Sequence, residues 1–71
     1  MSFRIYRYNP QFDSTTWFAG SGKDAAGNFA INWEDNASRA VNMSSRAQAE
    51  QVRRALRRYV GLGLELGIAG L

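Results

Sequence analysis

Arg46, Arg53, Arg54, Arg57 and Arg58 fall between Ser45 and Val60, where Glu50 is the sole acid. A guanidinium is planar, permanently charged and matched to carboxylates and phosphates, so this residue type suits the recognition of an acidic partner. At helical spacing the arginines and Glu50 share one arc, while Ala49, Val52, Leu56, Tyr59 and Val60 share the opposite one. Before this segment, Arg4, Arg7, Lys23 and Arg39 balance Asp13, Asp24, Glu34 and Asp35, so the net charge of +3 comes from the stripe, with Glu65 after it as the one further acid. Arg46 and Glu50 can pair at i,i+4, whereas Arg53/Arg57 and Arg54/Arg58 repel at that spacing by a few tenths of a kcal/mol. The helix dipole offsets part of this cost near the C-terminus. The arginines are the expected partner-binding residues, against the plainer reading of a solvated helix face.

Other chemistry finds less support. Gly20-Ser21-Gly22-Lys23-Asp24 invites a phosphate-loop reading, but that motif needs an earlier glycine and a hydroxyl residue after the lysine. Trp17 and Asp24 stand there instead. A glycine-rich hairpin loop is the better account. Glu34 and Asp35 are adjacent in a turn and lack the separated environments that general acid–base work requires. With no His and no Cys in the chain, neither catalysis, a metal site nor a cofactor is expected. Arg4, Tyr6 and Tyr8 could stack and hold a single-stranded nucleic acid if they lie on a sheet face away from the helix. In so small a chain, aromatics are more often core.

These side chains must be held by few elements. Phe3–Tyr8 has the aromatic and β-branched content of a strand, which Asn9-Pro10 ends. Thr15–Ala19 reads as a second strand, Gly20–Gly27 as a loop, and Phe29–Trp33 as a third strand with one buried face. Glu34-Asp35-Asn36 is a turn, and Arg39–Met43 a short fourth strand with Val41 and Met43 inward. Ser44 or Ser45 caps a helix to Val60, with Ser45-x-x-Gln48 as a capping box. Gly61 stops it. Leu62, Leu64, Leu66 and Ile68 then alternate with Gly61, Gly63, Glu65 and Gly67. They either add an edge strand or pair with a second copy as a homodimer.

The whole is expected to be one α+β domain, a small antiparallel sheet of three to four strands packed by one amphipathic helix. At 71 residues burial barely offsets chain entropy, and without cysteines no disulfide assists. Phe3, Phe12, Trp17, Phe18, Phe29, Trp33 and Tyr59 are the expected core material. The N-terminal residues lack a signal-peptide apolar run, and the apolar tail is about half a bilayer span. The sequons at Asn36 and Asn42 are therefore read as chance and the location as cytoplasmic, with no membrane partner.

From Trp33 through Glu50 the chain resembles a segment common in very small phage and mobile-element proteins. In these a strand ends in Trp, a short hydrophobic step leads to Ser, and an amphipathic helix packs back on the sheet. Trp33, Ala40, Met43, Ser45 and Ala49 carry the match. Single-domain phage proteins of this kind look like the anti-CRISPR and related host-takeover inhibitors. The resemblance implies a non-enzymatic inhibitor that binds and occludes a host CRISPR effector complex. The alternatives are a nucleic-acid binder using the arginine face and a virion assembly protein.

Overall fold

The computed structural model describes residues 2–70; Met1 and Leu71, the first and last residues of the two termini discussed above, lie outside it. Strand β1 (Phe3–Asn9) puts Phe3 and Ile5 toward the core and Arg4, Tyr6 and Tyr8 on the other side. It ends where expected: Asn9 Oδ1 accepts from the Gln11 amide at 3.0 Å, and Asp13 turns the chain at φ 48°. A short polar side chain tolerates that left-handed conformation better than most. Strand β2 (Ser14–Lys23) returns antiparallel to β1, with Trp17 opposite Tyr6.

β2 is longer than its composition suggests. Gly20 to Lys23, expected as loop, continue as strand, and Ser21, Gly22 and Lys23 pair with β3 (Phe29–Glu34). Gly20 serves a bulge: the register shifts between Phe18 and Ser21, and Gly20 takes φ 108° there. The turn itself is confined to residues 24–28. Asp24 Oδ1 accepts from the amides of Ala26 and Asn28, both at 2.9 Å, and Gly27 sits at φ 83°. The Asp24 carboxylate thus builds a turn.

The expected fourth strand over Arg39–Met43 is absent. A 3-10 turn (Ala37–Arg39), capped by the Asn36 side chain, occupies its start. The extended residues after it make an isolated pairing of Met43 with Phe3. Met43 is inward at 2% exposure, but Val41 is exposed, its amide donating to the Phe18 carbonyl at 2.9 Å. Helix α1 (Arg46–Leu56) starts at Ser45, whose Oγ accepts from the Gln48 amide at 3.1 Å. The helix tightens into a 3-10 turn at Arg57–Tyr59, and Val60 leaves it in extended conformation. Gly61 is therefore not a left-handed cap; the chain has already left the helix at Val60.

Strand β4 (Glu65–Gly70) completes one antiparallel sheet in the order β3-β2-β1-β4. Leu66 and Ile68 face the core as the alternation implies, but Leu64 lies before the strand and Leu62 is 95% exposed. The helix covers one face of the sheet in an α+β arrangement. Ile5, Phe18, Met43, Ala49 and Leu56 form the core, flanked by Phe3, Ile31, Trp33, Val52, Leu66 and Ile68. Four aromatics expected in it are outside: Phe12, Phe29 and Tyr59 are exposed, and Trp17 lies on the other face of the sheet against Tyr6. One short helix cannot cover four strands, so the sheet margin at β3 and the β1–β2 turn stay open.

Candidate functional site on the basic helix

The five arginines do not present one uniform face. Arg53 Nη2 lies 2.7 Å from Glu50 Oε2, while Arg46 Nε stands 3.7 Å from Glu50 Oε1. One carboxylate therefore serves two guanidinium groups, the closer at i,i+3 and the expected i,i+4 partner farther off. Arg57 Nη1 donates to the Leu64 carbonyl at 2.9 Å, tying the end of the helix to the approach of β4. Arg54 and Arg58 make neither an ion pair nor a hydrogen bond among the described residues. On the helical wheel they point most directly away from Leu56 and Ala49. The stripe divides into a flank turned toward β4 and an outward pair.

Two shallow grooves follow that division. The first, about 480 Å³, is lined by Gln51, Arg54, Ala55, Arg58 and Tyr59. Tyr59 reaches across to Phe29 with ring centroids 5.2 Å apart, and both rings stay more than half exposed. Exposed aromatic surface thus adjoins the two unpaired arginines. The second groove, about 320 Å³, is lined by Glu50, Arg53, Arg54, Arg57 and Leu66. It lies between the helix flank and β4, the sheet's outermost strand on that side.

Among the described residues the opposite face of the sheet carries no α-helix. Register places Tyr6, Trp17, Glu34 and Gly67 side by side across the four strands. Tyr6 and Trp17 meet edge to face at 5.7 Å. Arg4, Tyr6 and Tyr8 do lie on this face, but they are engaged. Arg4 donates to Asn42 Oδ1 at 2.7 Å and to the Ala37 carbonyl, and Tyr8 donates to Asp13 Oδ1 at 2.8 Å. That hydrogen bond, burial and the charges of Asp13 and Glu65 raise the Tyr8 pKa. Carboxylates at Asp13, Glu34 and Glu65 around these rings make the face unfavourable for a phosphate backbone.

Arg7, which the sequence did not single out, is on the helix side. Its guanidinium sits 4.4 Å from the Trp33 ring centroid and Nε donates to Thr16 Oγ1 at 3.2 Å, so it acts as packing. Glu34 and Asp35 do not converge on a cleft, since Glu34 lies in β3 opposite Trp17. Among the described residues no group of three potential ligands could hold a metal ion, and no helix is long and apolar enough to cross a membrane. The pairing of Phe29 with Tyr59 had no signal in the sequence beyond the aromatic character of both. Comparison with known proteins finds no family model that matches the chain, and no similar curated protein or solved structure.

Proposed function

We propose that this chain is a non-enzymatic binding protein of the inhibitor kind, anti-CRISPR-like, which docks its basic helix on an acidic surface of a host protein complex in the cytoplasm. The observation that carries the proposal is the pair Arg54 and Arg58, unpaired among the described residues and bordering a groove with exposed Tyr59. Arginine and tyrosine are the residue types that dominate the energy of protein interfaces, where each supplies area together with directed polar contacts. Base stacking needs an open ring face, whereas Tyr59 is tilted at 46° against Phe29, and the two offer apolar area beside the groove of Arg54 and Arg58. That combination favours a protein partner over nucleic acid.

The test is charge reversal at Arg54 and Arg58 together. Exposed substitutions usually change stability by no more than about 0.5 kcal/mol, and reversal at both positions exchanges one like-charge i,i+4 pair for another. The double variant therefore stays folded and loses its partner in pulldown from a bacterial host, with wild-type binding weakening as salt rises. Recovery of a multisubunit effector by the wild type survives nuclease treatment. Undiminished binding by the folded variant refutes the proposal. Affinity for generic nucleic acid, falling linearly with salt on a log–log plot, transfers the surface to the nucleic-acid reading.

A further inference from the structure

β4 is one of the two edge strands of the sheet, and it has few of the features that keep such strands from pairing. Natural edges are shortened, bulged, or guarded by charge and proline. β4 runs unbroken from Glu65 to Gly70 in register with β1, with one charged residue at its start and no proline. Its guard comes from elsewhere. Above it lies the groove lined by Glu50, Arg53, Arg54, Arg57 and Leu66, and Arg57 is fixed at its corner by the Leu64 carbonyl. Three guanidinium groups against one carboxylate leave a cationic rim over an open backbone edge.

We infer that β4 and this groove together receive an extended acidic segment of the partner, which adds to the sheet as a fifth strand. Strand addition of this kind draws affinity from main-chain hydrogen bonds and specificity from pockets for alternate side chains. In a strand, residues two apart on one face are separated by about 6.6 Å. Arg53 and Arg57 are spaced by about 6 Å along a helix axis, from four residues at 1.5 Å each. Two acidic side chains at alternate positions match those cations, and one of them competes with Glu50 for Arg53. The intervening side chains fall toward the face where Gly67 and Ala69 leave the edge low. A second copy of the chain fits less well. Antiparallel pairing of two β4 strands would bring two arginine flanks against each other.

The inference rests on the protein-partner reading and specifies how the partner is held. Its test uses a dye-labelled peptide alternating Glu and Val, as long as β4, titrated with the full chain and followed by fluorescence anisotropy. Saturable binding is expected, lost in high salt. A peptide of the same charge with its central Val residues replaced by Pro binds at least tenfold more weakly, because proline cannot pair along the edge. Arg53→Gln and Arg57→Gln each weaken the wild-type peptide severalfold; Arg53→Gln is the cleaner, since Arg57 also holds Leu64. Equal binding of the proline peptide, no binding of either, or tighter binding of a single-stranded oligothymidylate overturns the inference. So does a homodimer by light scattering whose edge the peptide cannot enter. Peptide failure while reversal of Arg54 and Arg58 still abolishes partner capture removes strand addition alone. Peptide binding with capture unaffected by that reversal removes the proposed helix surface instead.

Discussion

Replacing Gly67 by Ala adds one methyl group to β4 at a place where the sheet has no room for it. Gly67 is paired with Tyr6 across the β1–β4 ladder, and the Tyr6 ring lies over it. A Cβ at position 67 would come within 2.6 Å of Tyr6 Cε1 and closer still to Cζ and Oη. The backbone of Gly67 has no left-handed φ, so alanine is not excluded by conformation. The conflict is purely with the ring. Tyr6 must swing away, losing its edge-to-face contact with Trp17, worth about 0.5–1.5 kcal/mol. An off-rotamer position adds a similar amount, about 0.5–1.5 kcal/mol. Against this, alanine restricts the unfolded chain and returns about 0.4–1 kcal/mol. The expected net loss is about 1–2 kcal/mol, which for a domain of this size lowers Tm by about 4–8 °C for each kcal/mol.

Chemical denaturation of four chains measures this directly: wild type, Gly67→Ala, Tyr6→Ala and the double variant. In the Tyr6→Ala background the clash is gone, and Gly67→Ala becomes neutral or mildly stabilising. The coupling between the two sites should therefore be of the order of 1–2 kcal/mol, well above the additivity error of about 0.3–0.5 kcal/mol. A single Gly67→Ala variant at least as stable as wild type refutes the reasoning. Equal losses in both backgrounds refute it too, since the cost would then lie in the strand and not in the ring.

Two further outcomes are expected. Leu56→Ala, which empties a side chain 6% exposed at the centre of the helix–sheet contact, costs about 2–5 kcal/mol; an unchanged melting temperature would show the helix packing through another face. Tyr8 titrates above the ordinary tyrosine range because its hydroxyl donates to Asp13. A pKa raised by folding gives stability that is present below the unfolded tyrosine pKa and fades as pH rises through the folded one. Asp13→Asn, which keeps a residue tolerant of φ 48°, should lower the Tyr8 pKa in an absorbance titration, and an unmoved value would show that the contact does not form in solution.

The parts of the fold legible in the sequence are those set by local chemistry. Ser45 caps α1 because its hydroxyl reaches the Gln48 amide, and Asn9-Pro10 ends β1 because proline cannot continue the ladder. The burial of Ala49 and Leu56 follows from helical spacing. The misses are decided by neighbours distant in sequence. Gly20 to Lys23 are strand because β3 pairs with Ser21, Gly22 and Lys23 across a bulge, an event with no local signature beyond the glycines. Val41 is exposed because the Phe18 carbonyl captures its amide while Met43 pairs with Phe3. Tyr59 sits on the apolar arc of an ideal helix, yet the switch to 3-10 geometry at Arg57 rotates it away from the core and toward Phe29. The arginines were legible as a group, but their division was not, since it depends on where Leu64 and Leu66 pass beneath the helix.

That division bears on why the repulsive spacing of Arg53/Arg57 and Arg54/Arg58 is tolerated. Within the folded chain the inner pair is partly relieved: Glu50 holds Arg53 and the Leu64 carbonyl holds Arg57. The outer pair has no such relief among the described residues, so its mutual repulsion of a few tenths of a kcal/mol stands uncompensated in the free protein. The same cost changes sign on binding. An acidic surface that meets Arg54 and Arg58 removes their repulsion while adding its own attraction, so electrostatic strain in the free state becomes preference for the bound one. Tyr59 and Phe29, left exposed by a helix too short to cover the sheet, lie beside that pair and supply the apolar area that charge alone lacks. Small size and the proposed binding surface thus have one origin: a single helix covers the sheet incompletely, and what it leaves open adjoins the charges it carries.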